Sequence, residues 1–260
     1  MPSDFRKGMI RRRLKKVKRV ILVMSGKGGV GKSVVSATLA AILAQAGLKV
    51  GILDADVYGP SSTLLFNTNE FPREERSGLV PPLCSGVRVM SIDLFAAGGP
   101  VPLTGAAAIQ AETEMLALTD WGDLDCLIVD TPPSTGDIML FLTSLDKRKL
   151  AALVVTTPDK LSANVARRVL ALLRSDGTEV LGVLGNMSRE GAGRGSRVSR
   201  SAKGLARRYG APLLGVLPFD DAVLLAVEKG DMEMMLKTRF ARGLQRSVKE
   251  LTDGSLRPLP

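Results

Sequence analysis

The chain has 260 residues, 45% of them hydrophobic, and a net charge of +10, enough apolar material for one large α/β domain or at most two. It has no histidine, which excludes Ser-His-Asp triads, Cys-His pairs and histidine metal sites and leaves acid–base work to Asp, Glu, Lys or water. Its only cysteines, Cys84 and Cys126, form no CxxC, and two thiolates cannot complete a four-ligand zinc or iron–sulfur site; both from each of two chains could.

Residues 1–18 read as a basic N-terminal tail ahead of a domain at 19–260. Nine Lys/Arg stand between Arg6 and Arg19 against Asp4, a net of +8. No apolar run approaches the roughly 18 residues of a membrane span. Val20–Met24 is too short for a signal-peptide core, which predicts a cytoplasmic protein.

Strand-like runs then alternate with helical patterns. Strands are predicted at 19–24, 50–54, 87–92, 125–130, 151–156, 179–184 and 213–216. Helices are predicted at 32–46, 105–119, 159–174, 201–209, 221–228 and 232–251. The strands are nearly continuously apolar, which suits parallel strands covered on both faces. The rhythm predicts an α/β fold: a single doubly wound, mainly parallel sheet with helices on both faces. Segments 67–78 and 191–195 read as loops. A second basic stretch, 189–208, holds seven Lys/Arg against Glu190, a net of +6. Both patches suit an anionic partner: protein, DNA or a membrane surface.

The first strand and helix flank Ser25-Gly26-Lys27-Gly28-Gly29-Val30-Gly31-Lys32-Ser33. Gly26-x4-Gly31-Lys32-Ser33 fits GxxxxGK[ST], with strand before and helix after. Glycines let the backbone curl so that N–H groups face phosphate oxygens, and the helix N-terminus adds its positive end. Lys32 places charge on the β- and γ-phosphates, and Ser33 offers an oxygen to Mg²⁺. Asp54 and Asp56, in GILDADVYGPS, end the second strand at the edge where open α/β sheets bind ligands. Asp130 ends an apolar strand and opens DTPPSTGD; it is a candidate for the Mg²⁺ shell, in a loop suited to sensing the γ-phosphate.

GKGGVGKS, DADVYGPS, DCLIVDTPPSTGD, VVTTPD, GVLGNMS and GVLPFD, in this order, resemble the Mrp/ApbC branch of the MinD/ParA group of P-loop ATPases. The resemblance implies an ATP-hydrolysing homodimer bridged by ATP, with Mg²⁺. It makes Lys27 the signature lysine, which reaches the nucleotide of the other subunit and neutralises transition-state charge there, as an arginine finger does. It makes Asp56 the residue that positions the attacking water, and Asp54 a support for Mg²⁺ or the water network. Asn186 would contact adenine and the backbone at Pro218 would flank the base, so preference for ATP over GTP rests mainly on Asn186. A ParA/MinD-like binding module, using the basic patches, is the alternative.

The sequence departs from the family at four places. NMS is followed by REGAGRGSRVSRSAKG instead of a CxxC, so the usual cluster ligands are absent and an iron–sulfur cluster is not expected. Leu103-Thr104-Gly105-Ala106 replaces a WRGP-like motif. Val34 replaces a threonine near the α-phosphate, and Ser134 replaces a glycine after Asp130.

Overall fold

The computed structural model describes residues 2–96, 105–132, 146–189 and 197–249. Leu103, Thr104, Ser134, the end of TPPSTGD and the 191–195 segment lie outside the described residues.

The chain runs α1 (Pro2–Arg13), β1 (Val17–Ser25), α2 (Lys32–Gln45), β2 (Val50–Asp54), α3 (Ser62–Leu65), β3 (Arg73–Glu75), β4 (Gly78–Val80), β5 (Leu83–Cys84), β6 (Val87–Ser91), a 3-10 turn (Ile92–Phe95), α4 (Ala106–Leu118), β7 (Leu124–Asp130) and β8 (Leu150–Thr156). It continues with α5 (Lys160–Asp176), β9 (Glu179–Ser188), α6 (Arg197–Tyr209), β10 (Leu213–Pro218), α7 (Asp221–Lys229), α8 (Met232–Leu236) and α9 (Arg239–Ser247). Eight strands form one sheet in the order β10-β9-β8-β1-β7-β2-β6-β5. All its pairings are parallel except the short edge pair β5–β6.

Strand periodicity divides the core in two. On β1, Val20, Leu22 and Met24 face one side with α1, α4, α5 and α6. Ile21 and Val23 face the other, against residues of α2, α8 and α9. Each strand side chain at i and i+2 shares a face, so both faces need apolar cover.

Three segments differ from the sequence expectation. Residues 2–13, expected as a tail, form a helix that rests on α4: Ile10 is fully buried, Arg13 Nε donates to the Ala117 carbonyl at 3.0 Å, and Arg6 pairs with Glu114 at 3.4 Å. The segment 67–78 carries a strand of a small hairpin, β3 against β4. The helix expected over 232–251 breaks at Lys237–Thr238. There Asp220 Oδ2 accepts the N–H groups of Arg239 and Phe240, and Thr238 caps the new helix through Ala241 N–H. Among the described residues no helix is long and apolar enough to cross a membrane.

Candidate functional site

Parallel strands bring their carboxyl ends to one sheet edge, and the candidate residues collect there. β1 is central, between β7 and β8, and its end feeds the glycine loop. Gly29 and Gly31 take left-handed φ values of 77° and 81°, a conformation glycine adopts without strain. Gly26 serves a different need: a Cβ there would lie 2.4 Å from Ala166 N on α5, so the loop's entry is held against that helix. α2 begins directly after Gly31 with no side-chain cap and no acidic residue in its first turn. Its N–H groups and dipole are therefore left for an anion.

Below this helix end lies a buried charge cluster. Lys32 Nζ is 2.6 Å from Asp130 Oδ1, with the two side chains 7% and 0% exposed. Ser36, one turn along α2, donates its hydroxyl to the same oxygen at 2.8 Å. Asp54 and Asp130 are register partners on adjacent strands, so two carboxylates stand side by side out of water. Burial, then the Asp130 charge, pushes the Asp54 carboxyl up to about 6, although Ser61 and Ser62 N–H groups bond its Oδ2. Asp130 Oδ2 is buried with no hydrogen-bond partner among the described residues. Two carboxylates against one lysine, with an orphaned oxygen, fit a divalent cation. Asp130 and Ser33, with Asp54 beside them, would hold Mg²⁺, which supplies charge neutralisation at the phosphates.

The other sequence candidates take distinct places. Asp56 is half-buried at the rim; its N–H donates to Asp54 Oδ1 at 3.2 Å, and its Oδ1 accepts Gly59 N–H at 3.3 Å. Ser33 and Val34 are half-buried on the first turn of α2, and Gly28 is exposed. Asn186, expected at the adenine, is 3% exposed and donates Nδ2 to the Val30 carbonyl at 2.8 Å, so its amide is directed to the phosphate loop. Pro218 ends β10 beside Ser188, and the next residue, Phe219, lies under Arg189 at 4.6 Å. Lys27 pairs within its own chain, Nζ to Asp159 Oδ1 at 3.1 Å.

Sequence reasoning missed Ser36 and Asp159. Ser36 sits one turn beyond Lys32, a spacing that puts both on one helix face. Asp159 was visible as Asp before a helical run, an N-cap signal, but its partner across the fold was not.

The cysteines stand apart. Cys84 pairs with Val87, Val87 with Val50, and Val50 with Cys126. Three strand spacings of about 4.8 Å put them about 14 Å apart. Cys126 is fully buried, and burial raises its thiol pKa far above the ordinary range.

Comparison with known proteins agrees with this architecture. A ParA family profile, described as NUBPL iron-transfer P-loop NTPases, matches residues 16–253. An iron–sulfur cluster carrier protein of Mycobacterium bovis is 39% identical over 228 residues, 82% of this chain and 58% of that one. One of Rickettsia conorii is 36% identical, covering 82% of this chain and 65% of that one. The chain thus spans about three-fifths of the length of these curated relatives. A nucleotide-binding protein from Archaeoglobus fulgidus, solved in complex with ADP, superposes with a TM-score of 0.72 at 33% identity, over 87% of this chain and 92% of that one. The cell-division ATPase MinD of Pyrococcus furiosus shares the fold, with a TM-score of 0.66 at 22% identity over 91% and 99% of the two chains. A phosphate loop at the centre of a parallel sheet, two buried strand-end carboxylates and a profile match over nearly the whole chain make this protein a member of the ParA/NUBPL family of iron-transfer P-loop NTPases.

Proposed function

We infer that this chain is a Mg²⁺-dependent ATP-binding and ATP-hydrolysing switch that works as a cytoplasmic homodimer. The observation that carries the reading is the Lys32–Asp130–Asp54 cluster with its orphaned Asp130 oxygen, lying beneath the uncapped N-terminus of α2. Lys32 exchanges Asp130 for the β- and γ-phosphate oxygens when nucleotide enters. Asp130 is then left to the metal. Asp56 orients the water that attacks the γ-phosphate, and Lys27 of one subunit neutralises charge at the nucleotide of the other. The ADP complex of the Archaeoglobus relative supports a nucleotide here.

Lys27→Ala is the test of the dimeric mechanism. Phosphate release is expected to fall at least 100-fold, the scale of losing one preorganised charge at a transition state. The ATP-dependent dimer, followed by sedimentation velocity, is expected to disappear. Turnover at the wild-type rate would end the in-trans role.

The relatives are named for iron–sulfur cluster carriage, and in this chain the cargo is not held by its own thiolates. Cys84 and Cys126 are too far apart to share a cluster within one chain, and Cys126 is enclosed by the core under α2. Anaerobic reconstitution with iron and sulfide, with and without ATP, is expected to leave no stoichiometric cluster. A cluster per dimer that Cys84→Ser abolishes would reverse this assignment. The surface available to an anionic partner instead includes α6, whose Val198, Ala202 and Leu205 are buried while Lys203, Arg207 and Arg208 are exposed.

A further inference from the structure

We propose that Asp159 is a positioning residue that holds Lys27 on its own subunit until a second, nucleotide-loaded copy of the chain displaces it. This rests on the in-trans reading of Lys27 and adds the contact that must break for that reading to operate.

The carboxylate is fixed from several sides. Lys27 Nζ lies 3.1 Å from Asp159 Oδ1, which also accepts Ser162 N–H at 2.8 Å as the N-cap of α5. Asp159 Oδ2 accepts the Thr157 hydroxyl at 2.7 Å. Burial alone would raise this carboxyl, but the hydrogen bonds from Thr157, Ser162 and Lys27 outweigh it and hold it at about 2. Asp159 therefore stays charged through the physiological range, and protonation does not open the pair. A better partner for the ammonium does.

The pair is placed where such a partner can arrive. It borders a cavity of about 500 Å³, lined also by Thr157, Met187, Arg189 and Val198. The Lys27 and Asp159 side chains keep 34% and 42% of their exposure, so the contact is screened and weak. A nucleotide presented by a second subunit carries more negative charge than one carboxylate and outcompetes it. Release leaves no orphan: Asp159 keeps Thr157 and the helix cap. The swing also needs no rebuilding of the loop, because the Lys27 carbonyl is held by Ser25 Oγ at 3.0 Å and nothing crowds Gly28 or Gly29 within 4 Å of a Cβ position. The resting monomer thus carries its signature lysine already neutralised, and each dimerisation breaks two such pairs.

Asp159→Asn tests this, since the amide oxygen can still cap α5 while the charge is gone. Two experiments are read on the full chain. With a non-hydrolysable ATP analogue, the dimer dissociation constant of D159N is expected to tighten about 5- to 30-fold, the effect of removing two partly exposed ion pairs. In the nucleotide-free monomer, the Lys27 amine is expected to react about two- to fivefold faster with acetic anhydride, because the ion pair no longer holds the Nζ against residue 159 and out of the reagent's reach. Peptide mass spectrometry reads this against Lys15 as the internal control. Asp159→Glu restores the charge and is expected to return both values toward wild type. If D159N fails to fold, Asp159→Ser keeps a cap and carries the same expectation. An unchanged or weaker dimer in the folded variant, beside a wild type that dimerises on the analogue, overturns the proposal and leaves the switch reading standing. A wild type that does not dimerise overturns both, because Lys27 then has no partner site to reach.

Discussion

Lys32→Ala is expected to abolish nucleotide turnover and to destabilise the nucleotide-free protein together. Turnover should fall by at least 100- to 1,000-fold, as for loss of one preorganised charge at a transition state. The stability effect has a separate origin. Asp130 is fully buried, is the register partner of Asp54, and has Lys32 as its cationic partner. Removing the lysine leaves two adjacent carboxylates with only hydroxyl and amide donors, and breaking a buried ion pair from one side costs about 3–5 kcal/mol. Denaturant unfolding at neutral pH should register that loss. Adding Asp130→Asn removes the stranded charge, so Lys32→Ala/Asp130→Asn should regain much of the stability while turnover stays lost. That split separates the structural from the chemical role. Turnover within tenfold of wild type in Lys32→Ala would take Lys32 out of the phosphate site.

Asp56→Ala is expected to do the opposite: little change in binding or folding, and a large loss of hydrolysis. Asp56 is half-buried at the rim, and its side chain accepts one 3.3 Å hydrogen bond from Gly59 N–H. Losing one such bond costs about 1 kcal/mol or less. The residue stands two positions beyond Asp54 and bonds it through its own N–H, which places its carboxylate at the site's edge. Calorimetric titration with a non-hydrolysable analogue should give an affinity within about threefold of wild type, while single-turnover phosphate release falls 100- to 10,000-fold, the range for a lost general base. Hydrolysis at the wild-type rate would assign the water to another residue.

The parallel sheet was legible in the sequence because its strands are buried on both faces, which removes polar alternation and leaves plain apolar runs such as VILVM and LIVD. The glycine loop and the strand-end aspartates were legible for the same reason: ligand residues of such sheets lie where an apolar run stops. Longer reach defeated the reading elsewhere. The break between α8 and α9 is made by Asp220, nineteen residues before the Arg239 N–H that it caps, and no local pattern contains that bond. At the end of α1, Ile10 and Leu14, the residue just after the helix, are four positions apart and buried, but the cations around them hid the apolar stripe. Lys27 was recognisable from its loop, whereas its bond to Asp159 joins residues 132 apart in sequence. Asn186 likewise donates to the Val30 carbonyl, 156 residues away in sequence, a contact that no local pattern contains.

The central position of β1 bears on how the chain is made. Its neighbours are β7 and β8, and Val20 pairs with Leu127 on one side and Leu150 on the other. During synthesis this strand leaves the ribosome roughly a hundred residues before either neighbour, a wait of about 5–20 s at ordinary elongation rates. Through that interval VILVM has no sheet to join, and an unpaired apolar strand is the kind of segment that aggregates. The eleven-residue stretch Arg6–Lys16, rich in arginine and lysine and emerging just ahead of it, would keep nascent chains apart by charge repulsion until the sheet closes.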